Sequence, residues 1–169
     1  MSQPKAKMTQ VVDWSAAMWA GLISGIVFLV FNMILTAIYL GSPWIIVRLI
    51  ASIVMGNTVL PPPATFDVSI FIVSLIVHIP LSIGFSCLLA IILHRWGLFV
   101  GILGGACFGL ALYLINFYTF SLIFPWFFPM RSWIMALSHI IFGALAGGIY
   151  EGLEVEEFVP LEERSTRKV

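Results

Sequence analysis

The chain has 169 residues, 61% of them hydrophobic and only 9% charged, whereas a soluble domain carries about 25% charged residues. A water-soluble fold of this size cannot hide so much apolar surface, which makes lipid the solvent. The formal net charge is zero, which argues against nucleic acid as a partner.

Residues 1–13 are polar, carry Lys5 and Lys7, and form a segment outside the membrane. Trp14 to Leu40 is almost unbroken apolar sequence, longer than the roughly 20 residues a membrane helix needs. The run is too long for a signal-peptide core and no small-x-small cleavage site follows it, so it predicts a retained first span. Pro43 to Gly56, PWIIVRLIASIVMG, is apolar but too short to cross. It predicts an interfacial or re-entrant helix on the outer face. The next stretch, LPPPATFD, holds three prolines, which forbid helix and favour a stiff extended strap. Val68 to Leu93 is the second span, with Asp67 as its N-cap and a kink expected at Pro80. Leu98 to about Phe124 is the third span, and Trp133 to Tyr150 the fourth. Residues 151–169 carry six Glu with Arg164, Arg167 and Lys168, the composition of a solvated tail. The expected fold is therefore all-α and polytopic, with one transmembrane domain over residues 14–150.

Basic residues set the orientation. Lys5, Lys7, Arg95, Arg164, Arg167 and Lys168 fall on one side of the four spans, and only Arg48 and Arg131 on the other. Both termini are thus expected in the cytoplasm. Trp14, Trp44, Trp96, Trp126 and Trp133 all fall at predicted span ends, where an aromatic belt belongs. Cys87 and Cys107 lie in apolar runs without C-x-x-C or His/Cys spacing, and read as small hydrophobes.

The sequence contains an internal echo. The first span holds Gly21-x3-Gly25-x6-Asn32, and the third holds Gly105-x3-Gly109-x6-Asn116. Pro43-Trp44 then Arg48 follows the first, and Pro125-Trp126 then Arg131 follows the third. His78-Ile79 and His139-Ile140 occupy the second and fourth. The order Gly, Gly, Asn, Pro-Trp, Arg, His occurs twice, which predicts two tandem helical hairpins of the same orientation.

Lipid gives helices no hydrophobic reason to associate, so small residues four apart mark packing faces. Gly21 and Gly25 do so in the first span, Gly101, Gly105 and Gly109 in the third, and Gly143 and Gly147 in the fourth. The second span instead offers a polar row that includes Ser74, His78 and Ser82. Asn32, His78, Asn116 and His139 are the strongly polar residues inside the spans, one each. Counted from the outer span ends they lie at a common depth of about 12 to 16 Å, and their spacing from the glycines aims them into the bundle. Such residues mark function, or supply interhelical hydrogen bonds worth about 0.6 kcal/mol each. Ser74 and Ser82 could complete such a network.

Several classes are disfavoured. No carboxylate is expected within a span, so an Asp/Glu proton or cation relay is not supported. No Ser/His/Asp order, H-E-x-x-H, P-loop or dinucleotide fingerprint occurs. No cofactor or metal site is predicted. If haem were present it would be b-type on His78 and His139, because C-x-x-C-H is lacking. Arg48 and Arg131, at matching outer positions, are candidates for contact with lipid headgroups or a partner's carboxylate.

The phrases SPW…R, LPPPATFD and NFY.FSLIFPWF…R.W resemble a group of small four-helix bacterial inner-membrane proteins, across nearly the whole chain. The resemblance implies a bacterial inner membrane, and carries over no catalytic residue. The leading functional expectation is a non-catalytic accessory or structural subunit of a larger bacterial membrane complex, respiratory or another oxidoreductase, held in the bilayer by other subunits or self-association. The alternatives are a b-haem or quinone-binding electron-transfer subunit using the two histidines, and an oligomeric permease or channel for a small solute.

Overall fold

The computed structural model describes residues 7–160; Lys5, Arg164, Arg167 and Lys168, counted above for orientation, lie outside the described residues. The protein is an all-α polytopic membrane protein with four helices long and apolar enough to cross a bilayer. The spanning helices are α1 (Trp14–Leu40), α3 (Val68–Leu93), α4 (Gly97–Leu114) and α5 (Trp133–Leu153), with the short α2 (Trp44–Met55) between the first two. The third span continues beyond α4 through a π-helical turn, Ile115–Thr119, and a 3-10 turn, Phe120–Leu122. A further 3-10 segment, Pro125–Met130, leads into α5.

Local chemistry starts the helices where it should. Asp67 Oδ1 accepts the Ser69 and Ile70 N–H groups at 2.8 and 3.0 Å, two of the donors that every helix start leaves unpaired. Asp13 and Ser132 cap α1 and α5 in the same way, accepting from Ala16 at 3.0 Å and Met135 at 3.2 Å. Gly41, at φ 81°, ends α1 in the left-handed conformation that glycine alone adopts without strain. Helix α3 runs continuously through Pro80.

The two ends of the described chain meet. Strands β1 (Met8–Val11) and β2 (Glu157–Pro160) pair antiparallel, with Met8 opposite Pro160. Asp13 Oδ2 accepts the Val155 N–H at 3.2 Å, and Gln10 donates to Glu154 at 3.2 Å. Part of the expected solvated tail is thus tied to the bundle. The Asp13 carboxyl is held below the ordinary carboxylate range, chiefly by the Ala16 N–H. The end of the bundle opposite this sheet carries α2 and is the outer end in the orientation expected from the basic residues.

Helix α5 extends past Tyr150 to Leu153, which places Glu151 on a spanning helix and corrects the expectation that no span holds a carboxylate. The turn stays helical against α4 because Gly101 leaves room for the Glu151 stem; a Cβ on Gly101 would strike Glu151 Cγ.

Helix α1 packs on both α3 and α5, and α4 packs on α5, whereas α3 and α4 scarcely touch. At the inner end Ala16, Ala17 and Ala20 lie against Ala90 and Tyr150. There Leu89, Leu93, Ala146 and Phe108 fill the space between α3, α4 and α5. At the outer end the core is bulky, and Ile46, Val47, Leu49 and Ile50 of α2 pack into it with Tyr113 and Phe117. Small side chains draw the helices together at one end and large ones hold them apart at the other. Helix α2 is locked over the wide end by Trp126, whose indole N–H donates to Ser52 Oγ at 2.8 Å.

Candidate functional site: a cavity in the outer half

The seven packing glycines all stand at helix–helix contacts. A Cβ at Gly21 would lie 2.6 Å from Ile83 Cα, and one at Gly25 would lie 2.6 Å from Ser82 Cβ, so α1 meets α3 backbone to backbone at Gly21 and backbone to side chain at Gly25. In the α4–α5 pair a Cβ at Gly105 or Gly109 would overlap the carbonyl of Gly143 or His139, and one at Gly143 or Gly147 that of Gly105 or Gly101. Here backbone meets backbone. The two pairs share a plan: Gly25 faces His78 and Ser82, and Gly109 faces His139 and Gly143. Serine in one pair and glycine in the other accounts for the closer approach in the second.

Where the outer halves of α3 and α4 diverge there is a cavity of ≈ 290 Å³. Side chains of α1, α2, α3, the third span, the Pro125–Met130 region and α5 all reach it, and its lining is dominated by Phe, Leu and Ile. The polar groups on its wall are His78, Ser82, Asn116 and His139. Leu81 and Phe120, which also line it, are 45% and 44% exposed. They lie on the apolar spans, so the cavity communicates with the lipid-facing surface between α3 and α4.

Each polar residue named from the sequence has a definite place. His78 is buried, and its Nε2 donates to the Gly25 carbonyl at 2.8 Å across the α1–α3 contact. Ser82 Oγ donates to the His78 carbonyl one turn back at 2.9 Å. His139 is buried, and its Nδ1 donates within α5 to the Met135 carbonyl at 2.8 Å. Its Nε2 bonds to nothing in the described chain, and the ring lines the cavity. Asn116 is half-buried in the π-helical turn and also lines the cavity. Asn32 and Ser74 are buried but do not line it. Asn32 donates to its own helix at Phe28 O, 2.9 Å away, and Ser74 to Phe71 O at 2.8 Å. The structure thus brings His78, Asn116, His139 and Ser82 together and leaves Asn32 and Ser74 in helix contacts.

Phe28 is the residue that sequence reasoning missed. Its ring stacks on His78 with centroids 5.7 Å apart and meets His139 edge-on at 4.9 Å. Tyr113 and Phe117 also present rings edge-on to His139, at 5.8 and 5.7 Å. The signal was available, since Phe28 stands three residues after Gly25 and four before Asn32, which places it on their helix face.

The two outer arginines serve the chain itself. Arg48 donates to Val59 O at 2.8 Å and twice to Thr65 O, at 3.1 and 3.0 Å, pinning the proline strap to α2. Arg131 donates to Phe117 O at 2.6 Å and to Ser121 Oγ. Its guanidinium also lies 4.5 Å from the centroid of the Tyr118 ring and 4.3 Å from that of Phe128. The π-helical turn frees backbone carbonyls, and Arg131 takes up one of them.

Among the described residues no group of three or more His, Cys, Asp or Glu is placed to hold a metal. Cys87 and Cys107 are free thiols. The cavity wall supplies hydrogen-bonding groups in an apolar, lipid-accessible chamber, which is the equipment of a binding site. Set against family models, curated proteins and solved structures, the chain matches none of them.

Proposed function

We propose that this protein holds a small lipid-soluble molecule in the outer half of the membrane, as a non-catalytic subunit of a larger bacterial inner-membrane assembly. The observation that carries this reading is the cavity itself: apolar in most of its lining, polar at His78, Asn116 and His139, and open to the lipid-facing surface at Leu81 and Phe120. Small-molecule sites have this character and span about 300 to 1,000 Å³. At ≈ 290 Å³ the chamber suits a compact head and the start of a tail, with the rest of the tail in lipid. Phe28 packs its ring against both imidazoles, which weighs against one haem iron shared by both.

The orientation follows the basic residues, with both termini in the cytoplasm. The matching contacts of Gly25 with His78 and of Gly109 with His139 support descent from one duplicated hairpin, with α2 and its strap as an insertion in the first copy.

Photolabelling in liposomes tests the proposal. A farnesol analogue bearing a diazirine on its first isoprene unit is expected to label peptides that contain residues 78–85 and 112–127. Label spread evenly over the outward-facing residues of all four spans would overturn it.

A further inference from the structure

We propose that the head of the bound molecule is a hydroxyl that donates a hydrogen bond to His139 Nε2, and that the site selects lipid alcohols over lipids with only carbonyl or ether oxygens. This rests on the cavity reading above and deepens it.

A backbone carbonyl only accepts, so the ring atom that bonds to it must carry the proton. His139 Nδ1 lies 2.8 Å from Met135 O, which puts that proton on Nδ1. His78 Nε2 lies 2.8 Å from Gly25 O, which puts that proton on Nε2. No acidic side chain lines the cavity, and an unpaired buried charge is costly, so each ring is a neutral imidazole with a single N–H. Both protons are thus committed to backbone, and what remains on each ring is a lone pair: Nε2 of His139 and Nδ1 of His78. Ser82 offers no donor either, because its hydroxyl goes to His78 O at 2.9 Å.

The polar wall is therefore rich in acceptors. The remaining side-chain donor on it is the Asn116 amide, which also brings an acceptor oxygen. A bare carbonyl or ether entering this wall would set its own lone pairs against those of the imidazoles and could use only Asn116. A hydroxyl can donate to His139 Nε2 and accept from Asn116 together. The chemical class is a single-headed lipid alcohol, a prenol or fatty alcohol, seated with its chain toward Leu81 and Phe120.

The test uses the full-length protein in liposomes and two competitors against the farnesol photoprobe: farnesol and its methyl ether, which differ only in the O–H. Farnesol is expected to displace the probe about tenfold better, the value of one hydrogen bond in a dry site. In His139→Phe, which keeps a ring of similar size but no acceptor, that preference is expected to vanish while the ether competes unchanged. Equal competition by the two in the wild-type protein overturns the hydroxyl assignment and leaves the cavity reading standing. Cavity peptides that take no label at all overturn both. The wild-type comparison decides the matter even where His139→Phe does not assemble. Asn116→Leu, expected to weaken farnesol and the ether alike because both accept from its amide, provides a second readout, and unchanged farnesol competition in that variant counts against the two-point seat.

Discussion

His78 Nε2 donates to the carbonyl of Gly25 across 2.8 Å, and so joins α3 to α1 at the depth of the cavity. Its counterpart His139 spends its proton inside α5 on Met135. Two histidines at similar positions therefore do different work, one joining helices and one presenting a lone pair.

This division predicts unequal stability effects. His78→Phe removes an interhelical hydrogen bond and is expected to cost roughly 0.6 to 1.7 kcal/mol. His139→Phe removes only a bond within its own helix, and is expected to cost less. Reversible unfolding of the two variants in mixed detergent micelles measures the difference, and equal losses would contradict the assignment.

The α4–α5 contact leaves no space for a side chain. Gly143→Ala puts a methyl group into the Gly105 carbonyl, and overpacking of this kind costs about 1 to 3 kcal/mol. Gly84 has nothing within 4 Å of a built Cβ. There Gly84→Ala is expected to be neutral, or stabilising by up to about 1 kcal/mol from helix propensity. Thermal melts of both variants in one detergent check the contrast.

Arg131 holds the π-helical turn through Phe117 O and Ser121 Oγ. Arg131→Lys keeps the charge but loses the planar fork. Amide exchange over residues 115–123 is expected to quicken in this variant while exchange in α1 stays as in the wild type. Unchanged protection of the turn would show that Arg131 is not its support.

Asp13 has its folded pKa lowered, chiefly by the Ala16 N–H. A depressed carboxyl contributes stability above its unfolded pKa, and loses it as pH falls through the folded value. The unfolding midpoint is therefore expected to drop as pH is taken from about 4 down through the lower folded value, with a smaller drop in Asp13→Asn. The effect is small because the group is only partly buried, and water screens it. Parallel pH slopes for the two proteins would remove Asp13 from the account.

Much of the architecture is legible in the residues because lipid imposes so few solutions. The starts of α1, α3 and α5 follow from Trp14, Asp67 and Trp133, and the short α2 from Pro43 and Gly56. The far end of the third span was not legible. Nothing in INFYT signals a π-helical turn, and its partner Arg131 reaches back from beyond the Pro125–Met130 segment. The β1–β2 pair was equally hidden, since its strands lie at opposite ends of the sequence.

By itself the sequence determined the number of crossings, the packing glycines and the presence of histidine and asparagine within the spans, because each follows from residue type and helical period. Tertiary structure alone decided what those polar groups can do. Whether an imidazole offers a proton or a lone pair depends on which carbonyl lies within 3 Å of it, and that is a matter of how α1, α3 and α5 pack. The cavity has the same origin: it exists because α3 and α4 meet at Leu93 and Phe108 and part beyond them, under a lid that α2 closes from outside.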